Sequence, residues 1–314
     1  MSSDDFDFTQ PVSASAASAP LSAVVALTQA SSKYYDKVVA ERFFKKAGTL
    51  EKFAAGTTLF TMGDKSGKQG LFGKRVIHRM YLLTSGEVVL TMGDKPLDTI
   101  RAYEVVGEMA VISEIPGFTT ASTRSATALA KTDCEAYSLD GLETQTGLTE
   151  TPEFALMLMS VMFDRMRFVA ARLAMRRVSK KVEVSEAMAT FTPDMLAMLE
   201  NKLDRATVVR YDANKPIMKE GDTGMNMYVI LRGEVAISIK GTIVENASVG
   251  ASIGEMALVD QSPRAATATA KTDCKLLAIN RVALIALVKA EPNIGMALMR
   301  SMAERLRHMN SLFV

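Results

Sequence analysis

The chain has no tryptophan, only two cysteines and only two histidines among its 314 residues. Two cysteines build no disulfide framework, and Cys134 and Cys274 read as one buried core thiol in each half of the chain. His78 and His308 stand alone, with no His or Cys at ligand spacing, so no metal site is expected. There is no Gly-x-Ser-x-Gly elbow and no Walker-type phosphate loop; the stretch from Lys65 to Lys74 is rich in Gly and Lys but has the wrong spacing. A non-enzyme is therefore expected. No apolar run approaches the roughly 18 residues that cross a bilayer. Asp4, Asp5 and Asp7 occupy the place where a secretory signal carries positive charge, so a cytoplasmic protein without a membrane is expected. With 37 basic against 35 acidic residues, no global charge favours nucleic acid.

What the chain does have is apolar residues, 48% of the total, enough to build sizeable cores, and a length that suggests two domains. Self-comparison shows why. Ala126-Thr127-Ala128-Leu129-Ala130-Lys131-Thr132-Asp133-Cys134 recurs as Ala266-Thr267-Ala268-Thr269-Ala270-Lys271-Thr272-Asp273-Cys274. Met80-Tyr81-Leu82-Leu83 recurs as Met227-Tyr228-Val229-Ile230, and Gly107-Glu108-Met109-Ala110 as Gly254-Glu255-Met256-Ala257. The offset is 254 − 107 = 147 residues at the Gly-Glu pair and 274 − 134 = 140 at the cysteines. The first copy therefore holds seven extra residues between Glu108 and Arg124, around Ser113 to Phe118, and a further insertion within Lys65 to Arg79. Each copy reads as short β-segments broken by Gly-Asp, Ser-Gly and Arg-Gly turns, followed by a helical tail. Val229–Leu231 and Val235–Ile239 predict a hairpin about Arg232-Gly233-Glu234. Many short strands suggest a sandwich or jelly roll.

The predicted organisation is a Ser/Ala-rich flexible tail over 1–33, a first domain over 34–182 and a second over 183–314. A long helix is predicted from Thr151 to about Ser179. Met159, Met162, Met166, Val169 and Leu173 fall at alternating spacings of three and four, as do Leu298, Met302, Leu306, Met309 and Phe313. These stripes cover their own β-roll, form a seam between the domains, or join two copies as a homodimer. Arg165, Arg167, Arg172, Arg176, Arg177, Lys180 and Lys181 make a basic helix, read first as a solvated face and otherwise as a surface for an acidic protein or nucleic acid. Arg176-Arg177-Val178-Ser179 also has the form of a basophilic kinase site.

The most telling run is Gly254-Glu255-Met256-Ala257-Leu258, then Ser262-Pro263-Arg264-Ala265-Ala266-Thr267. A carboxylate that only accepts and a guanidinium fork stand nine residues apart (264 − 255), a pairing suited to a ligand with both a sugar hydroxyl and a phosphate. This run resembles the phosphate-binding cassette of cyclic-nucleotide-binding domains, the family of cAMP-dependent kinase regulatory subunits and catabolite-activator-like proteins. The resemblance implies a mainly β fold with helices, two tandem eight-stranded jelly rolls each followed by a C-terminal helix. It assigns Glu255 to the ribose 2′-hydroxyl and Arg264 to the cyclic phosphate, with Gly254, Met256, Ala257 and Ala265 completing the cradle. Ala265 after the arginine favours cAMP; Met309 and Asn310 on the last helix are candidates to meet the base. In the first copy Gly107, Glu108, Arg124 and Ser125 align with these roles, and its longer cassette leaves open whether it binds cAMP, cGMP or nothing.

An activator-like protein carries a helix-turn-helix where this chain reaches Val314, and a kinase regulatory subunit carries an inhibitory Arg-Arg segment in a tail that here, over 1–32, has neither Lys nor Arg. The expected function is thus a cyclic-nucleotide sensor, cAMP foremost, that signals through an effector protein. The alternatives are a constitutive scaffold or dimerisation protein with degenerate pockets, and a nucleic-acid-associated regulator acting through 165–181.

Overall fold

In a computed structural model, the described residues are 35–66, 77–113, 123–175, 185–186, 189–204 and 207–311. Side chains are described over the same residues except 167–175, 185–186, 260 and 309–311. The predicted tail over 1–33, the boundary at 182, Ser179 and most of both insertions lie outside them.

The first domain opens on α1 (Lys37–Ala47), whose N-terminus is capped by Asp36 accepting from the Val38 amide at 2.8 Å. Eight strands follow: β1 (Thr49–Phe53), β2 (Thr58–Phe60), β3 (Met80–Ser85), β4 (Val88–Met92), β5 (Lys95–Ile100), β6 (Val105–Val106), β7 (Thr127–Ala130) and β8 (Cys134–Leu139), with α2 (Glu108–Val111) between β6 and β7. They form two antiparallel sheets in the orders β1-β8-β3-β6 and β2-β7-β4-β5. Then come α3 (Gly141–Leu148), begun by a reciprocal capping box between Asp140 and Glu143, and α4 (Glu153–Met175). A short β9 (Ser185–Glu186) and α5 (Pro193–Lys202) connect to the second domain.

The second domain repeats the plan with β10 (Val208–Tyr211), β11 (Pro216–Met218), β12 (Asn226–Arg232), β13 (Val235–Ile239), β14 (Thr242–Ala247), β15 (Ser252–Ile253), α6 (Glu255–Asp260), β16 (Thr267–Ala270), β17 (Cys274–Asn280), α7 (Arg281–Ala290) and α8 (Pro292–Ser311). Its sheets run β10-β17-β12-β15 and β11-β16-β13-β14, the latter extended by β9 pairing parallel to β14. The twin jelly roll read from the repeat is what forms.

One local expectation fails. β12 and β13, predicted to pair as a hairpin about Gly233, belong to different sheets: β12 pairs with β15 and β17, β13 with β14 and β16. The Arg-Gly turn is a corner at which the chain crosses from one face of the roll to the other. Alternating burial along each strand looks the same in both arrangements, so periodicity did not separate them. The real hairpin joins β13 to β14, and its two-residue loop, Lys240-Gly241, has both residues at positive φ.

Each roll has its own interior, built around Leu83, Val88 and Cys134 in the first and Ile230, Val235 and Cys274 in the second. Both cysteines are buried and free, as read from the sequence. A third, larger cluster joins the domains. It takes in Phe43, Phe44, Phe154, Met159, Met162 and Phe163 from the first domain, and Leu258, Leu287, Leu298, Met302 and Ala303 from the second. Phe43 stacks on Phe154 with centroids 3.8 Å apart, fastening α1 to α4. Each such fully buried side chain is worth about 1.5–3 kcal/mol. Of the described parts of the two apolar stripes, Met159, Met162, Leu298, Met302 and Leu306 are thus buried and Met166 half-buried within one chain, where α4 packs along α8. α4 also passes against α6 of the other domain. Among the described residues no single helix is long and apolar enough to cross a membrane.

Candidate functional site

The second cassette begins where β15 ends. Gly254 adopts the left-handed conformation (φ 80°), and a Cβ there would lie 2.5 Å from Nη1 of Arg264. Only glycine turns the chain so sharply while letting the guanidinium lie on its backbone. Glu255 opens α6 and Arg264 returns just before β16; they are only 3% and 5% exposed.

The two do not pair with each other. Arg264 donates from Nη1 to the Gly254 carbonyl at 2.8 Å and from Nη2 to the Asn226 carbonyl at 2.7 Å, with its Cζ 6.0 Å from the Tyr228 ring centroid. Among the described residues no carboxylate lies within ion-pair distance of it. Burial pulls its guanidinium below the ordinary value, against the opposing fields of Tyr228 and Glu255. Gly224 backs this arrangement: a Cβ there would fall 2.1 Å from the arginine Nε.

Glu255 is held from the other side. Its Oε1 accepts from Ser252 Oγ at 2.6 Å and from Arg305 Nη1 at 3.1 Å, and all its described hydrogen bonds fall on that one oxygen. Arg305, on α8, also donates to Glu245 at 3.2 Å and to the Ser252 carbonyl at 3.0 Å. Burial works against the Arg305 charge, but Glu255 and Glu245 outweigh it and hold the guanidinium above its ordinary value. The site therefore presents a fixed acceptor oxygen beside a buried cation fork, with the last helix tied to the acceptor's far side.

The first cassette repeats most of this. Gly107 is left-handed (φ 82°), and Arg124 donates to the Gly107 carbonyl at 2.9 Å and the Arg79 carbonyl at 2.7 Å. Glu108 is buried and pairs with Arg165 of α4, which also reaches the Val105 carbonyl at 3.3 Å. Arg165 thus leaves the basic-face reading: it is a half-buried residue that pairs with the cassette glutamate. Phe60 lies over Arg124, 4.1 Å from Cζ to the ring centroid.

Family-level comparison agrees with this geometry: the model of the cyclic nucleotide-binding domain matches residues 50–145 and 208–291. The chain belongs to the cyclic-nucleotide-binding-domain family. A curated relative, the cAMP-dependent protein kinase regulatory subunit of Eremothecium gossypii, is 28% identical over 202 residues, covering 64% of this chain. The chain spans 38% of that relative's length. Among solved structures, cAMP-bound PfPKA-R (141-441) is 19% identical with a TM-score of 0.31, covering 88% of this chain and 91% of its own. The catabolite activator protein of Thermus thermophilus is 27% identical with a TM-score of 0.35, covering 39% of this chain and 59% of its own.

Of the residues singled out from sequence, Gly254, Glu255 and Arg264 converge in the second domain, and Gly107, Glu108 and Arg124 in the first. Met256 and Ala257 turn into the core rather than to the cassette surface, so any contribution they make is through backbone. Ala265 is exposed, and Ser125 Oγ approaches the Met109 sulfur at 3.8 Å. The Asn310 and Met309 side chains lie outside the described residues. Sequence reading missed Ser252, Gly224 and Arg305. The signal for Arg305 was present: 305 − 165 = 140, the same offset as the cysteines, so the two helix arginines are themselves part of the repeat.

Proposed function

We propose that the protein is a cyclic-nucleotide sensor that binds cAMP at least in its second domain and passes the signal to an effector protein. One observation carries this: Arg264 is buried with its fork held by two carbonyls and, among the described residues, no carboxylate in range, next to Glu255, whose described hydrogen bonds all fall on Oε1. A buried guanidinium without a counter-anion is costly, and a phosphate supplies one in the geometry the fork matches. A ribose hydroxyl can donate to Oε2 of Glu255 without displacing Arg305. Occupancy of the cassette then bears on α8 through Arg305, and a ligand biases that helix by its differential affinity for two helix positions. Support for cAMP over cGMP comes from Ala265, where a hydroxyl residue is absent. The curated relative, a cAMP-dependent kinase regulatory subunit, is consistent with an effector protein as output and with a non-enzymatic role.

Arg264→Lys should weaken cAMP binding at least tenfold by calorimetry, because a point charge cannot replace a bidentate fork. Wild-type affinity in that variant would refute the assignment. The scaffold reading predicts instead no gain in melting temperature with any cyclic nucleotide, where a binder gains about 2.7 kcal/mol at a hundredfold excess over Kd.

A further inference from the structure

Arg305 is not the last arginine on α8. Arg307 donates from Nη2 to the Met109 carbonyl at 2.5 Å and to Ser113 Oγ at 2.6 Å, and both acceptors belong to the first domain's cassette, nearly 200 positions away in sequence (307 − 109 = 198). Ser113 Oγ in turn donates to the same Met109 carbonyl at 2.7 Å, so three groups close on the end of the four-residue helix α2 that carries Glu108. Two positions along an α-helix are about 200° apart around its axis. Arg305 therefore faces its own domain's Glu255 while Arg307 faces the other domain's cassette, with Leu306 between them buried in the core.

The setting of Arg307 is an expensive one for a merely structural contact. Among the described residues no carboxylate lies within ion-pair distance of it, its Nε is buried without a hydrogen-bond partner, and burial disfavours its charge, with Glu304 and Glu108 only partly opposing and Arg300 adding to the effect. An apolar or neutral side chain would fill such a place at less cost. What a guanidinium alone offers here is reach and a rigid, directional grip on a carbonyl and a hydroxyl at once.

We infer that Arg307 is a positioning residue of the first cassette supplied by the second domain, and that α8 is a strut through which the state of the second pocket sets the shape of the first. Displacement of α8 at Arg305 moves Arg307, and α2 with its Glu108 follows. The coupling half rests on the sensor reading given above; the grip itself does not.

Hydrogen exchange on the full-length chain separates the two. Without nucleotide, Arg307→Gln should raise exchange of the 107–113 amides severalfold and leave 254–259 unchanged; equal exchange at 107–113 in variant and wild type overturns the grip. With saturating cAMP, wild type should change exchange in both cassettes, whereas Arg307→Gln should respond at 254–259 and lose the response at 107–113. An identical response of the two proteins at 107–113 overturns the coupling. Arg307→Lys, which keeps charge without the planar guanidinium, should behave like Arg307→Gln; wild-type behaviour would assign the effect to charge alone and overturn the directional grip. If calorimetry shows no heat with cAMP or cGMP for either protein, the sensor reading and the coupling fall together, and the comparison without nucleotide still decides the grip.

Discussion

The two cassettes share a backbone plan but not the same hold on their key side chains. In the second, Arg305 clamps two carboxylates, Glu255 and Glu245, and Ser252 adds a second bond to Glu255. In the first, the aligned positions (252 − 147 = 105 and 245 − 147 = 98) are Val105 and Asp98. Val105 offers Arg165 only a carbonyl, and the described ion pair of Arg165 is with Glu108 alone. The arginine that would meet phosphate differs too: Phe60 covers Arg124, whereas the corresponding neighbour by the second cassette's glycine is Met218, a pliable thioether 3.3 Å from where a Gly254 Cβ would be. The second cassette is tied to its own helix by charge. The first is tied less to its own helix and more to a neighbouring domain and an aromatic ring. Duplication kept the frame and let the fastening drift.

The largest expected effect breaks this contrast at the helix arginines. Arg305→Ala leaves buried Glu255 and half-buried Glu245 without their cation and should destabilise the second domain by about 4 kcal/mol, while Arg165→Ala should cost the first about 2 kcal/mol. Urea unfolding followed by exchange in each domain measures both, and equal losses would remove the asymmetry. A smaller effect concerns access to the phosphate arginine. Gly224→Ala puts a methyl 2.1 Å from Arg264 Nε, so the guanidinium must shift; cAMP affinity should fall about tenfold, roughly 1.4 kcal/mol. Ile77, just ahead of β3 in the first copy, is exposed, and Ile77→Ala should leave calorimetric titrations unchanged. The smallest effect is on pH dependence. Burial raises the Asp98 carboxyl above its ordinary value, with Thr99, Arg165 and Arg101 only partly opposing. A raised acid costs stability where the unfolded chain is ionised, and the cost disappears as pH falls through the raised value towards the ordinary one. Asp98→Asn should therefore lift the first domain's melting temperature by a degree or two near neutral pH, an advantage that vanishes in acid. A gain that persists there would mean the effect is not one of charge.

The fold was legible because a duplication repeats its own evidence. The Lys-Thr-Asp-Cys runs and the Gly-Glu-Met-Ala pair revealed two copies of one unit and the place of the first copy's insertions, and the resemblance supplied the strand count. The cassette was legible because its glycine, carboxylate and guanidinium lie within one local stretch. What escaped was whatever depends on separation in sequence. The sheet to which β13 belongs is decided by β14 and β16, not by the turn before it. Arg305 and Arg165 sit some fifty residues from their glutamates (305 − 255 = 50; 165 − 108 = 57), and in a basic helix one arginine looks like another until its neighbours in space are known. The Met-rich stripes announced a seam but not its partner, since identical spacing serves a second copy as well as the other half of the same chain.

That the partner is the other half has an evolutionary and a cellular consequence. When two identical subunits meet, every substitution is made twice and each surface must remain complementary to itself. With α4 and α8 on one polypeptide, either helix is free to change alone, and so is either pocket. Their association is also set by the tether rather than by how much protein a cell holds, so the pairing of the two halves should survive dilution to the last molecule.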